Sequence, residues 1–247
     1  ADRFTDAGAK AGIMTHLPPL SSSAMTSPTR PLAGLKVVEL GSLIAGPFAA
    51  RIMGEFGAEV IKIESPDGGD PFRAFRGGLY SPHFQTYNRN KKSITLNTKN
   101  AEDAAAFDEL VRGADVYLQN FRPGVAERIG VGEDAIREVA PQIVYVSISG
   151  YGESGPYKDK PVYDPLVQAV SGLASVQAGS DEARPRLVRT ILPDKLTGVV
   201  AAQAITAALL SRARTGEGQH VRLSMLDAVI AFLWHSDMGS QTFVGDG

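Results

Sequence analysis

Short strand-like runs alternate with amphipathic stretches along most of this chain, and that alternation leaves few folds open to it. Leu35-Lys36-Val37-Val38-Glu39-Leu40 reads as a strand, Gly41 and Ala45-Gly46-Pro47 as a turn, and Phe48 to Phe56 as a helix. Gly57 stops the helix, and Ala58 to Glu64 is a second strand. Strand, turn, helix and strand within about thirty residues make a βαβ unit, with parallel neighbours and a right-handed crossover. Pro47 suits the first helical turn, where its missing N–H costs nothing. The alternation continues with strands at Ser93–Leu96, Asp115–Gln119 and Ile143–Ile148 around helices at Ala101–Arg112, Val125–Ile129 and Glu133–Ala140. Further helices are expected from Tyr163-Asp164 to about Ser175, from Asp194 to about Leu210 and from Leu226 to Trp234, with a strand at His220–Ser224. The class is α/β with a mostly parallel sheet. Ser65 to Asn90 reads as one long irregular segment, and loops of that length tend to be functional or mobile.

Composition narrows the function. The net charge of -2 and the lack of a basic block argue against a nucleic-acid partner. No run reaches the ~18 consecutive apolar residues that a membrane span needs. Cysteine is absent, which removes thiolate nucleophiles, disulfides and Cys-based metal sites and fits a cytoplasmic location. Residues 1–30 carry Pro18-Pro19, Ser21-Ser22-Ser23 and two methionines, Met14 and Met25, without apolar periodicity. They read as a flexible arm or leader outside the fold.

Several familiar motifs are missing. The first turn, Gly41-Ser42-Leu43-Ile44-Ala45-Gly46, lacks both the dinucleotide glycine pattern and a phosphate-loop lysine. No G-x-S-x-G or H-E-x-x-H occurs. His83, His220 and His235 have no metal-ligand spacing; His83, in a loop, and His220, at a strand start, read as structural. Lys99, Arg122, Arg128, Lys158 and Lys160 are phosphate ligands or solvated surface. Glu64 reads as a strand-end surface charge. Ser149 to Tyr157 is a glycine-punctuated loop at the carboxyl end of a strand, where open α/β sheets bind ligands. Asp194, after Ile191-Leu192-Pro193, has two readings. It is a helix N-cap, or a carboxylate held beside a cleft and available to a substrate.

Six phrases stand in order along the chain: Leu32–Leu40 with Ala45-Gly46-Pro47, Gly57–Glu64, Asn88–Ile94, Gln119–Gly124, Ser149–Gly152 and Arg214–Gln219. Together they resemble the class III coenzyme A transferase family, which includes formyl-CoA transferase, carnitine-CoA transferase and the 2-methylacyl-CoA racemases. The phrases lie in register from about Pro31 to Trp234.

The resemblance implies a Rossmann-like, CoA-binding large domain over residues 31–224. Residues 225–247 would form a helix and the start of a linker to a second, smaller domain that lies outside this chain. It implies an interlocked homodimer, and an acyl-CoA and a small carboxylic acid as substrates, with no tightly bound cofactor and no metal. Asp194 falls on the family's catalytic aspartate. CoA contacts carry over to Ile44, Ala45, Leu96, Lys99, Asn120, Phe121, Arg122, Arg128, Lys160, Tyr163 and Asp164. For Tyr163 and Asp164 a buried core tyrosine and a helix cap stand as alternatives. The family's phosphate lysine falls on Pro161, one place after Lys160, and its adenine-stacking arginine falls on Ser65. The activity implied is CoA transfer through an aspartyl-CoA thioester, with the helix dipole keeping Asp194 ionised. A 2-methylacyl-CoA racemase and a non-catalytic CoA-binding subunit are the alternatives. Tyr163 stands where racemases carry a histidine, and a free tyrosine titrates near ~10 rather than near neutrality.

Overall fold

The computed structural model describes residues 30–76, 81–180 and 182–235, so nearly all of the expected arm and residues 236–247 lie outside it. Among the described residues six strands form one sheet: β1 (Lys36–Leu40), β2 (Glu59–Glu64), β3 (Lys91–Thr95), β4 (Val116–Gln119), β5 (Val144–Ser149) and β6 (His220–Ser224). Every pairing is parallel and the order is β3-β2-β1-β4-β5-β6. The expected α/β class is met, with strand order reversing between β1 and β4.

The central strands are covered on both faces, which is why β4 and β5 read as near-continuous apolar runs rather than alternating ones. Val116, Leu118, Val144, Val146 and Ile148 join one core cluster with α1 (Ala45–Glu55). Tyr117 and Tyr145 point to the opposite face, their rings stacked 5.3 Å apart between centroids. That second face is covered by α3 (Ala101–Arg112), α4 (Val125–Arg128) and α5 (Glu133–Val139).

Several boundaries differ from the sequence reading: α1 starts at Ala45 rather than Phe48, β3 at Lys91 rather than Ser93, and three larger departures follow. The segment read as irregular contains a 3-10 turn, Pro71–Arg73, and a helix, α2 (Pro82–Asn88). Ser81 accepts from the Phe84 N–H and Pro82 opens the first turn, so the start signal was present in the sequence. The helix expected to reach Ser175 breaks into α6 (Asp164–Val170) and α7 (Leu173–Val176). Gly172 between them sits at φ 86°, a conformation only glycine adopts without strain. The long helix α8 runs Leu192–Thr215 and so begins before Asp194; α9 (Met225–Trp234) follows β6.

α8 is long and apolar enough to cross a bilayer by length and composition alone. Here Gly198, Ala201, Ala202, Ile205 and Ala208 turn into the core against Ala45, Ala49, Ala50 and Met53 of α1. Small residues on both helices permit a close approach. A Cβ on Gly198 would stand 2.9 Å from the Phe48 ring and 3.2 Å from the Ala45 carbonyl oxygen. Gly198→Val is therefore expected to destabilise the fold by about 1–3 kcal/mol, the usual cost of overpacking. Chemical denaturation against the wild-type chain measures it; an unchanged midpoint would show that α1 and α8 can separate freely.

Candidate active site

In an open parallel sheet, the crevice beyond the carboxyl ends of the strands opens where the strand order reverses. Here that point lies between β1 and β4, and the two loops leaving it are tied together. The Ser42 N–H donates to Asn120 Oδ1 at 2.9 Å, and Asn120 Nδ2 donates to the Ser42 carbonyl at 2.9 Å. Leu43, at φ 64°, turns the chain into α1.

A buried charge cluster supports this turn. The Lys62 ammonium lies 3.0 Å from both Glu39 and Asp70 and donates to the Gly41 carbonyl at 2.7 Å. Lys91 sits 2.7 Å from the other Glu39 oxygen and donates to the Pro47 carbonyl at 2.8 Å. Burial alone would raise the Glu39 pKa, yet the two ammonium groups hold it below the ordinary value. Burial pulls Lys91 down to about 8 despite Glu39. Glu64 corrects the surface reading: it is buried, grips the Arg73 guanidinium with two contacts of 2.6 Å, and accepts from the Asp70 N–H. Burial works against its charge, but these donors and Ser93 hold its pKa near 2.

Asp194 lies in the first turn of α8, after Leu192 and Pro193; the N-cap position is Ile191. The N-cap reading is thus corrected. Its carboxylate instead faces the N–H of Ala45, the first residue of α1, which helps to lower its pKa; the helix's own N-cap residue, Ile44, makes no side-chain cap. Asp164 is the first residue of α6 rather than its cap. Its Oδ2 accepts from the Asp194 N–H at 3.2 Å, and its Oδ1 accepts from Gln168 Nε2 at 2.6 Å. Gln168 also donates to the Thr190 carbonyl at 3.2 Å and accepts from the Val188 N–H at 2.8 Å, fixing the strand-like approach to α8.

Two carboxylates therefore share one half-dry site. Burial first, then the charge of Asp164, raise Asp194 from an ordinary 3.8 to about 7, and the Ala45 N–H only partly opposes them. Burial also raises Asp164. Desolvation and a like charge work against the expected effect of the helix dipole in keeping Asp194 ionised.

A cavity of about 630 Å³ joins Ile44, Ala45, Asn120, Phe121, Arg122, Lys160, Tyr163, Asp164 and Asp194, nine of the twelve residues singled out in the sequence. Tyr163 is 65% exposed, which rules out a buried core tyrosine. The Lys160 ammonium sits 3.7 Å from the centroid of the Tyr157 ring. Leu96 and Lys99 line a neighbouring cavity of about 390 Å³ beyond Ser42 and Phe121, with Glu64 and Ser65. Arg128 lines neither of these two; it is exposed and donates back to the Gly124 carbonyl of its own turn.

The sequence reading passed over three contributors. His83, read as a loop residue, belongs to α2 and lines the Asp194 cavity, its ring against Phe72 and Phe75. Its Nδ1 is buried without a hydrogen-bond partner among the described residues. Tyr87 stands close enough that the Asp194 charge adds to burial in raising its pKa. Gln168 carries no motif, and only the tertiary contact with Asp164 reveals it.

A family model described as CoA-transferase family III matches residues 32–244. The chain is 40% identical over 221 residues to the acetyl-CoA:oxalate CoA-transferase of Acetobacter aceti, covering 89% of this chain and 57% of that one. It is 38% identical over 210 residues to the succinyl-CoA–L-malate CoA-transferase beta subunit of Chloroflexus aurantiacus, covering 83% and 51%. It is 37% identical over 237 residues to human succinyl-CoA:glutarate CoA-transferase, covering 94% and 52%. Among solved structures, a CAIB/BAIF family protein from Brucella suis superposes with a TM-score of 0.81 at 33% identity, covering 89% of this chain and 60% of that one. The chain thus spans little more than half the length of these relatives. A match that runs through nearly every element described above, at this identity, makes the chain a member of CoA-transferase family III.

Proposed function

We propose that this chain carries the CoA-binding, nucleophile-bearing part of an enzyme that moves coenzyme A between an acyl-CoA and a carboxylic acid. The observation that carries the reading is Asp194: a carboxylate on the cavity wall, at the start of α8, facing the first amide of α1. Residues 31–224 make the CoA-binding domain, and 225–247 lead towards a second domain. The relatives named above act, by name, on oxalate, L-malate and glutarate, which suggests a dicarboxylic acid as acceptor. An interlocked homodimer is supported by apolar side chains left exposed on α8 and α9, among them Val199, Leu210, Phe232 and Trp234.

The chemistry follows from a carboxylate nucleophile. An Asp194 oxygen attacks the thioester carbonyl carbon; the C–S bond breaks and CoA leaves as thiolate, giving a mixed anhydride. The thiolate then attacks the aspartyl carbonyl carbon, expelling the donor acid as carboxylate and leaving an aspartyl-CoA thioester. The acceptor carboxylate runs the two steps in reverse. No proton is gained or lost. The Ala45 N–H already faces the Asp194 oxygens and would stabilise the oxyanion that forms when the aspartyl carbonyl is attacked. Arg122, Lys158 and Lys160, together on the cavity wall, suit the phosphates of CoA, and Leu96 and Lys99 in the adjoining cavity suit its far end. Tyr163 beside Asp164, where racemases carry a histidine, speaks against a racemase.

Incubating the intact enzyme with succinyl-CoA should leave a CoA adduct on the Asp194 peptide that hydroxylamine removes. Asp194→Ala should abolish both the adduct and transfer. Retained transfer in that variant would rule out the assignment. Because the nucleophile must be ionised, kcat/KM should fall about tenfold per pH unit below about 7, where Asp194 titrates. Asp164→Asn removes the like charge and should move this acid limb to lower pH; an unmoved limb would place the titrating group elsewhere.

The same perturbation has a stability consequence. Above an unfolded-state pKa of ~3.9, the unfolded chain releases the proton that folded Asp194 keeps until pH about 7, so folding stability is lost across that window as pH rises. Asp194→Asn should therefore stabilise the fold at pH 8 by up to ~4 kcal/mol and by almost nothing at pH 4. Urea denaturation at the two pH values measures the difference; equal effects at both would show that Asp194 is not destabilised by its charge.

A further inference from the structure

A second cavity of about 490 Å³ lies beyond Arg122, lined by Ser147, Ser149, Glu133, Glu153, His220 and Arg222 among others. The parallel register of β5 and β6 sets Tyr145 opposite His220 and Ser147 opposite Arg222. Ser147 Oγ is 2.8 Å from His220 Nε2. The other ring nitrogen, Nδ1, forms a short hydrogen bond with Glu133 Oε2. Glu133 is itself anchored, accepting from Arg137 Nε at 2.8 Å on one oxygen and from Arg222 at 3.0 Å on the other. The edge-on contact between the Tyr145 and His220 rings, 4.8 Å between centroids, fixes the imidazole plane.

These contacts select one tautomer. An ionised Glu133 can only accept, so Nδ1 carries the proton and Nε2 is left to accept from the Ser147 hydroxyl. We propose that Ser147, His220 and Glu133 form a second catalytic set, a serine nucleophile with its base and orienting carboxylate, that hydrolyses small anionic carboxylic esters. The ordering of hydroxyl, imidazole and carboxylate is what activates a serine, and it is recognised by geometry rather than by sequence position. Anionic esters are favoured by Arg122, which borders the cavity and makes no side-chain hydrogen bond or ion pair among the described residues. Burial lowers the His220 pKa, with Glu133 opposing, which favours the neutral imidazole.

The reaction balances with water alone. The Ser147 oxygen adds to the ester carbonyl carbon as its proton passes to His220 Nε2. The alkoxide leaves with that proton, giving acyl-serine. Water then adds to the acyl carbon, its proton passes to Nε2 and returns to Ser147 Oγ, and the acid departs. Glu153 is the rival in this arrangement: its Oε1 lies 3.1 Å from Ser147 Oγ, and its Oε2 accepts from Arg222 Nε at 3.1 Å. Glu153→Gln offers an amide donor to Oγ instead, which turns the hydroxyl towards His220.

The test is labelling of the full chain with a fluorophosphonate probe, mapped by peptide mass spectrometry, alongside hydrolysis of 4-acetoxybenzoate. We expect one phosphonyl group on Ser147, and neither label there nor turnover in Ser147→Ala. Labelling should slow by at least ~tenfold in His220→Gln and in the isosteric Glu133→Gln, as loss of a positioned base predicts. It should quicken in Glu153→Gln. Thermal melting accompanies each variant, and Glu133→Gln decides the matter if the histidine variant does not fold. A wild-type chain unlabelled at Ser147 overturns the proposal. So does labelling equally fast in folded His220→Gln or Glu133→Gln, or lost in Glu153→Gln, which would make Glu153 the base.

Discussion

The close approach of α1 and α8 governs the site more than any single hydrogen bond. Both helices present alanine or glycine at the contact, and Gly198 marks the tightest point, with the Ala45 carbonyl and Phe48 where a Cβ would stand. That approach brings Asp194, one turn before Gly198, against the first amide of α1. A carboxylate so placed serves two helix starts, its own first turn and the uncapped end of α1, and both favour its charge. It is also partly dry and stands beside Asp164, and these two effects prevail. The residue that raises the Asp194 pKa is the same one that accepts its backbone N–H. Electrostatic tuning and positioning therefore cannot be separated at Asp164 by simple deletion.

The floor of the crevice rests on charge rather than on apolar packing. Lys62 and Lys91 lie among Glu39 and Asp70, all four side chains almost wholly removed from water. Buried ion pairs of this kind add little net stability, because desolvation offsets their attraction. Their geometry is demanding, however. Each ammonium also donates to a carbonyl at the mouth of the site, Gly41 for Lys62 and Pro47 for Lys91. Asp70 meanwhile accepts from the Leu43 N–H at 3.4 Å and the Phe72 N–H at 2.9 Å. The turn from β1 into α1, left-handed residue included, is thereby held from three directions. A softer apolar floor would leave the Ala45 amide free to drift from Asp194.

Much of the architecture was legible in the sequence because periodicity and glycine placement report directly on backbone geometry. The βαβ alternation gave the class, and the boundaries of β1, β2, α3 and β4 fall within a residue or two of the pattern. The misreadings come from tertiary effects. Ser81-Pro82 is a sound helix start, but the glycine- and aromatic-rich stretch around it has no periodicity to extend. Asp194 looked like a cap because a short apolar run meets a proline there, whereas the helix already begins at Leu192. Glu64 looked exposed because a strand end is usually wet; its partners Arg73 and Ser93 arrive from distant elements. His220 carried no spacing signal, since Ser147 and Glu133 reach it only through the β5–β6 register and the position of α5. Resemblance found the Asp194 neighbourhood, but nothing in it foretold which groups would share a cavity and which, like Arg128, would turn back on themselves.

The raised Asp194 pKa bears on the proposed chemistry in a way that a simple nucleophile argument misses. An environment that moves the carboxylate from an ordinary 3.8 to about 7 disfavours its charge by ~4 kcal/mol relative to water. Protonation relieves that penalty, and so does acylation, because an anhydride or thioester of Asp194 is also uncharged. With the charge gone, the repulsion from Asp164 disappears and the dry surroundings cease to be a cost. On the proposed mechanism the free enzyme with Asp194 ionised would thus be the strained state, and the covalent intermediate the relaxed one. A helix cap would want the opposite arrangement, with solvent and donors holding the carboxylate at its lowest pKa, as Glu64 is held near 2. The contrast between these two buried acids in neighbouring cavities, one stabilised as an anion and the other not, is the physical argument for giving the proposed chemistry to Asp194.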